Sequence, residues 1–135
     1  MLPLVLAALL QTPPAPPLKT LDRGTMSEVD SSREVVVRSA PAWRELWRAH
    51  APDRLSPGVD FSTTMVVAVF LGTRSTGGYS VDIARTREER GALVIEYIEG
   101  RPGPDAIVAQ VLTSPFHIVA LPTHAGEVRF EKVPK

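Results

Sequence analysis

The chain has no cysteine, which excludes disulfides, thiolate nucleophiles and thiolate-held zinc ribbons outright. It has no excess of either charge. Lys plus Arg and Asp plus Glu both number 15, so the formal net charge is zero and nothing draws the molecule toward nucleic acid or an anionic lipid surface. Long apolar runs are missing as well. The longest, residues 1–10, is about half of the ~20 residues that a membrane-spanning helix requires. What remains is ordinary globular composition, 44% hydrophobic and 22% charged over 135 residues, enough for one domain.

The apolar start runs into Gln11-Thr12-Pro13-Pro14-Ala15-Pro16-Pro17. An apolar helix feeding a stiff proline tract reads as a secretory leader and spacer, although no Lys or Arg precedes it. Export is therefore expected, with residues 1–17 as leader and linker and 18–135 as the folded domain. No cysteine follows the apolar stretch, so a lipid-anchored start is not expected.

Along the domain, residues 25–29 and 34–38 read as short strands around an Asp30-Ser31-Ser32 turn. A helix follows. Ser39 is a suitable N-cap, Pro41 sits where a missing N–H costs nothing, and Trp43, Leu46, Trp47 and His50 form one apolar stripe. Both tryptophans are expected to cover a sheet. The continuous run Met65 to Leu71 reads as a strand buried on both faces, and the alternation from Tyr79 to Arg85 as its partner. Residues 86–91 read as a charged connection. Residues 93–99, 116–121 and 127–133 read as strands, 107–112 as a strand or extended segment, and the Gly100 to Asp105 stretch as a loop. The expected fold is mainly β: an antiparallel meander or sandwich-like sheet with one amphipathic helix packed on it.

Chemistry-bearing motifs are sparse. His50, His117 and His124 show no metal-ligand spacing; His117 alternates against Phe116 and Ile118 and reads as a surface or satisfied histidine. Ser80, Ser114 and Thr76 lie in no nucleophile elbow, and Glu88-Glu89 reads as a solvated turn. Thr76-Gly77-Gly78 lacks the Gly-Lys-Ser/Thr and helix of a phosphate loop. No catalytic residue, metal or cofactor is expected. Surface recognition is left: a loop, Arg74-Ser75-Thr76-Gly77-Gly78-Tyr79, whose two glycines allow positive φ, beside a second loop at Arg101-Pro102. These eight residues are the candidate partner-binding site.

Val69-Phe70-Leu71-Gly72, then Thr76-Gly77-Gly78-Tyr79, then Ser80-Val81-Asp82-Ile83 resemble the C-terminal domain of the protease-complex subunit PrcB family. So does Thr113-Ser114-Pro115-Phe116-His117, and the likeness runs roughly from Val59 to Val133. Ser75 stands where proline is expected. The resemblance implies an exported bacterial accessory protein that supports assembly or stability of a protease complex, and it carries over no catalytic residue. A fainter likeness, of Ser75 to Tyr79 to the wedge loop of chagasin-type inhibitors, implies a protease inhibitor instead; the asparagine and proline of that loop are absent. A small envelope domain with an unknown partner is the third expectation.

Overall fold

The structure, a computed structural model, describes residues 16–135. Of the leader and linker expected over 1–17, residues 1–15 lie outside the described ones. Seven strands and one helix follow: β1 (Lys19–Gly24), β2 (Arg33–Val37), α1 (Ala40–His50), β3 (Thr64–Phe70), β4 (Ser80–Glu89), β5 (Ala92–Gly100), β6 (Phe116–Pro122) and β7 (Val128–Lys132). They build three layers: α1, an antiparallel sheet ordered β1-β6-β3-β2, and a mixed sheet ordered β4-β5-β7. The mainly β fold with one packed helix is as expected. No helix among the described residues is long and apolar enough to cross a membrane.

β3 is buried on both faces because it lies mid-layer. Val66, Ala68 and Phe70 meet α1, whereas Met65, Val67, Val69 and Leu71 meet the second sheet. Alternation sends successive side chains to opposite layers, and each large one contributes roughly 1.5–3 kcal/mol on burial. The helix begins as its residues dictate. Ser39 accepts the Ala42 N–H at 3.3 Å, and Pro41 occupies the first turn. Trp43 and Trp47 lie under the sheet as expected, both about 5% exposed or less. Their indole N–H groups donate to Pro57 O at 3.0 Å and Arg54 O at 2.8 Å, which ties down the loop after the helix.

Five expectations change. The first strand is residues 19–24, not 25–29; Met26 makes only an isolated bridge, to Ser114. β1 is an edge strand with a register shift between Thr20 and Asp22, and that bulge disguises its alternation. β3 and β4 are not partners: β3 pairs with β2 and β6, and β4 with β5 in the other sheet. β4 continues to Glu89, because its charged end is held in ladder and by ion pairs such as Arg87 with Glu96. The turn itself is Arg90 and Gly91, both at positive φ. β7 runs parallel to β5, so the second sheet is not a pure meander. Residues 107–112 form no strand.

Candidate partner-binding face

The chain leaves β3 at Leu71, whose N–H donates to Pro115 O at 2.9 Å, and turns at Gly72, φ +80°. A Cβ at Gly72 would stand 2.9 Å from Ser32 N, so close approach to the 30–32 turn also requires glycine there. The loop then lies along the segment before β6. Arg74 exchanges backbone hydrogen bonds with Thr113 at 2.7 and 3.0 Å, Gly77 N donates to Ala109 O at 2.9 Å, and Thr113 Oγ1 donates to Thr76 O at 2.8 Å. Gly78 has φ +92°, and a Cβ there would come within 2.9 Å of both Pro102 and Val108. The two loops expected to be neighbours are neighbours. Two corrections follow: the twin-glycine bend is not a free tip, since residues 74–78 are laid down on residues 102–113, and only Gly78 of the pair takes positive φ.

The eight candidate residues divide accordingly. Thr76, Gly77, Gly78 and Pro102 build the contact between the loops, and Ser75 is exposed. Arg74, Tyr79 and Arg101 gather at a different centre, the Glu99 carboxylate at the end of β5. Arg74 Nη2 lies 3.4 Å from Glu99 Oε2 and Arg101 Nε 3.2 Å from the same oxygen, while Lys132 Nζ reaches Oε1 at 3.3 Å. Arg74 also donates to Leu71 O at 2.8 Å and rests over the Tyr79 ring at 5.6 Å, which orients its guanidinium. Burial works to raise the Glu99 pKa, but Lys132, Arg101 and Arg74 outweigh it and hold the carboxyl below its ordinary value. Beside this group opens a hollow of about 340 Å³ lined by Glu99, Arg101, Lys132, Val133, Pro134 and Lys135.

Sequence reasoning missed Glu99 and Lys132. Glu99 reads as one residue of an alternating strand, and Lys132 arrives only through the parallel pairing of Tyr97 with Lys132. No local signal announces that pairing.

A second polar constellation was also missed. His50 Nε2 lies 2.8 Å from Asp22 Oδ2 and His50 Nδ1 2.8 Å from Ser27 Oγ, a carboxylate–imidazole–hydroxyl chain. Ser27 Oγ accepts the Val29 N–H at 3.0 Å as well, and Ser27 is buried. Arg54 shares Asp22 Oδ2 at 2.6 Å. The chain of bonds therefore ties β1, the 25–29 segment and the end of α1 together, with the hydroxyl engaged on both sides. Among the described residues no three His, Asp or Glu side chains converge as a metal-ligand cluster.

Residues 65–122 match the family model described as PrcB C-terminal. Over this segment the chain is similar to the PrcB C-terminal family. It spans β3 to β6, the middle of both sheets, and includes all eight candidate residues and Glu99. Lys132, the helix, β1 and β2 lie outside it. No curated protein and no solved structure matches the chain.

Proposed function

We propose that the protein is an exported, non-catalytic accessory domain that binds a protein partner and supports the assembly or stability of a protease complex. The observation that carries this reading is the PrcB C-terminal match over residues 65–122, which fits a protease-associated accessory domain. The sequence supports export through its apolar start and proline tract. Three features support binding rather than catalysis. The candidate loops are held rigidly by backbone hydrogen bonds, as a preorganised contact surface needs. The Ser27 hydroxyl, the one serine chained to a histidine and an acid among the described residues, is buried and accepts a backbone N–H. The polar groups at Glu99 form an ion-pair cluster and not a nucleophile–base pair.

Crosslinking with mass spectrometry in the native host tests the proposal directly. A protease crosslinked through residues 74–79 or 99–102, with a shorter protease half-life when this chain is deleted, is the expected result. Inhibition of papain-like or subtilisin-like proteases by the purified chain would replace the reading with the wedge-loop inhibitor. Absence of any protease among the crosslinked proteins would replace it with an envelope domain of other function.

A further inference from the structure

Two clusters of charge lie on the second sheet, and they differ in balance. In one, Arg85, Arg87 and Arg129 are interleaved with Glu89, Glu96, Glu127 and Glu131. Every cation there has at least one carboxylate, and the acids slightly outnumber the bases. In the other, Arg74, Arg101 and Lys132 share the single Glu99 carboxylate. Glu34 also faces this end of the molecule, but it is engaged as acceptor of the Tyr97 hydroxyl at 2.7 Å. In a chain whose formal charge is zero, this corner carries a local positive excess.

The excess is also chemically unspent. The Glu99 side chain is 7% exposed, whereas Arg101 and Lys132 are 68% and 52% exposed. Arg101 reaches Glu99 through Nε alone, so the outer edge of its guanidinium, the part suited to a bidentate carboxylate, has no protein partner among the described residues. Lys132 makes one contact with an ammonium that has three N–H donors. Separations of 3.2–3.4 Å are long for charge-assisted hydrogen bonds, so little is lost when either cation turns outward. Both line the hollow, together with Lys135 and the aliphatic side chains of Val133 and Pro134. The Val133 backbone is anchored, its N–H donating to Tyr97 O at 2.9 Å.

We propose that this hollow is a docking site for an acidic segment of the protein partner, a carboxylate side chain engaging Arg101 and Lys132 while Arg74 stays paired with Glu99. The assignment rests on the reading of the chain as a partner-binding domain. Glu99 is an internal competitor for the same cations. It prevents three unpaired charges from facing one another in the free protein and gives up part of its claim when the partner's carboxylate arrives.

The test titrates the purified chain with an N-acetylated, C-amidated glutamate oligopeptide, with inorganic phosphate in parallel, and follows arginine Nε–Hε and backbone amide resonances. The glutamate peptide is expected to shift Arg101, Arg74 and Val133 saturably, more tightly than phosphate, and to weaken with added salt. Glu99→Gln should tighten peptide binding, because the competitor is removed. Arg101→Gln with Lys132→Gln should weaken it on the order of tenfold, whereas Arg85→Gln with Arg129→Gln leaves it unchanged. Thermal melts accompany each variant, so that a misfolded protein is not scored. Unshifted resonances, equal response to phosphate, or a Glu99→Gln variant that binds no better would overturn the assignment. In native crosslinking, loss of the partner by Arg101→Gln with Lys132→Gln supports it, and capture equal to wild type sinks it. A wild-type chain that captures no protein partner removes the underlying function as well.

Discussion

The two buried histidines sit on opposite faces of the same sheet, and each reaches the edge strand β1. His50 comes from the helix side to Asp22. His117 comes from the inter-sheet side, where its Nε2 lies 2.8 Å from Thr20 Oγ1. Thr20 and Asp22 would share a face in a regular strand; the register shift between them puts them on opposite ones. The partners make the difference. His50 faces a carboxylate, which offsets part of the burial that lowers its pKa, while Arg54 adds to the lowering. His117 has much less compensation. The Ile83 N–H donates to its Nδ1 at 2.8 Å, so Nδ1 must be bare and Nε2 must carry the proton toward Thr20. Burial and Arg23 lower its pKa to about 4, and Asp82, 3.8 Å away, opposes them only weakly. One residue type thus serves as a carboxylate-paired link on one face and as a neutral staple between sheets on the other.

The largest expected effect comes from breaking the staple. His117→Leu leaves the Ile83 N–H buried without an acceptor and removes the Thr20 contact, for a loss of about 3 kcal/mol in urea unfolding at pH 7. A cost below that of an average surface substitution would show that the staple is incidental.

Acid should produce a similar loss in the wild type. Because the folded pKa of His117 lies below the ordinary 6.5, the unfolded chain binds more protons than the native one between pH 6.5 and about 4. Stability from this group is complete above pH 6.5, declines as pH falls through that window, and levels off below about pH 4. The decline is about 3 kcal/mol. Denaturation curves of wild type and His117→Leu should converge toward the acid end; parallel curves would assign the acid sensitivity to other groups.

His50→Leu is expected to cost less, about 1–2 kcal/mol at pH 7, since Asp22 keeps Arg54 and Ser27 keeps the Val29 N–H. A cost equal to that of His117→Leu would erase the distinction between the two faces. The adjacent glycines repeat the comparison on a smaller scale. Gly78→Ala, forced into positive φ against Pro102 and Val108, should cost about 1–3 kcal/mol. Gly77→Ala, whose new methyl would rest 3.5 Å from Ala109, should change the melting temperature little. Equal melting temperatures for these two variants would mean that the bend tolerates a side chain throughout.

Much of the local structure was legible. Ser39, Pro41 and the Trp43–His50 stripe specify a capped helix whatever surrounds it, and the uninterrupted run from Met65 to Leu71 requires cover on both faces. The Thr76-Gly77-Gly78-Tyr79 turn and the Thr113 to His117 segment carried the family likeness, and the two do lie against each other. The charged end of β4 was unreadable, because Arg87, Glu88 and Glu89 look solvated until Glu96 and Glu131 are placed beside Arg87. The centre of the candidate site was equally hidden, since Glu99 and Lys132 lie far apart in the chain and meet across a parallel pairing.

Periodicity and capping are properties of neighbouring residues, so the chain alone determined where its helix forms, which strand is central and where it must bend. They report how much of a segment is covered but not by what. Which sheet each strand joined, that β7 lies parallel to β5, that Thr20 and Asp22 face apart, and that three cations converge on Glu99 were decided only when remote segments packed. Those outcomes depend on register and layer order, which follow from fitting all the apolar faces at once.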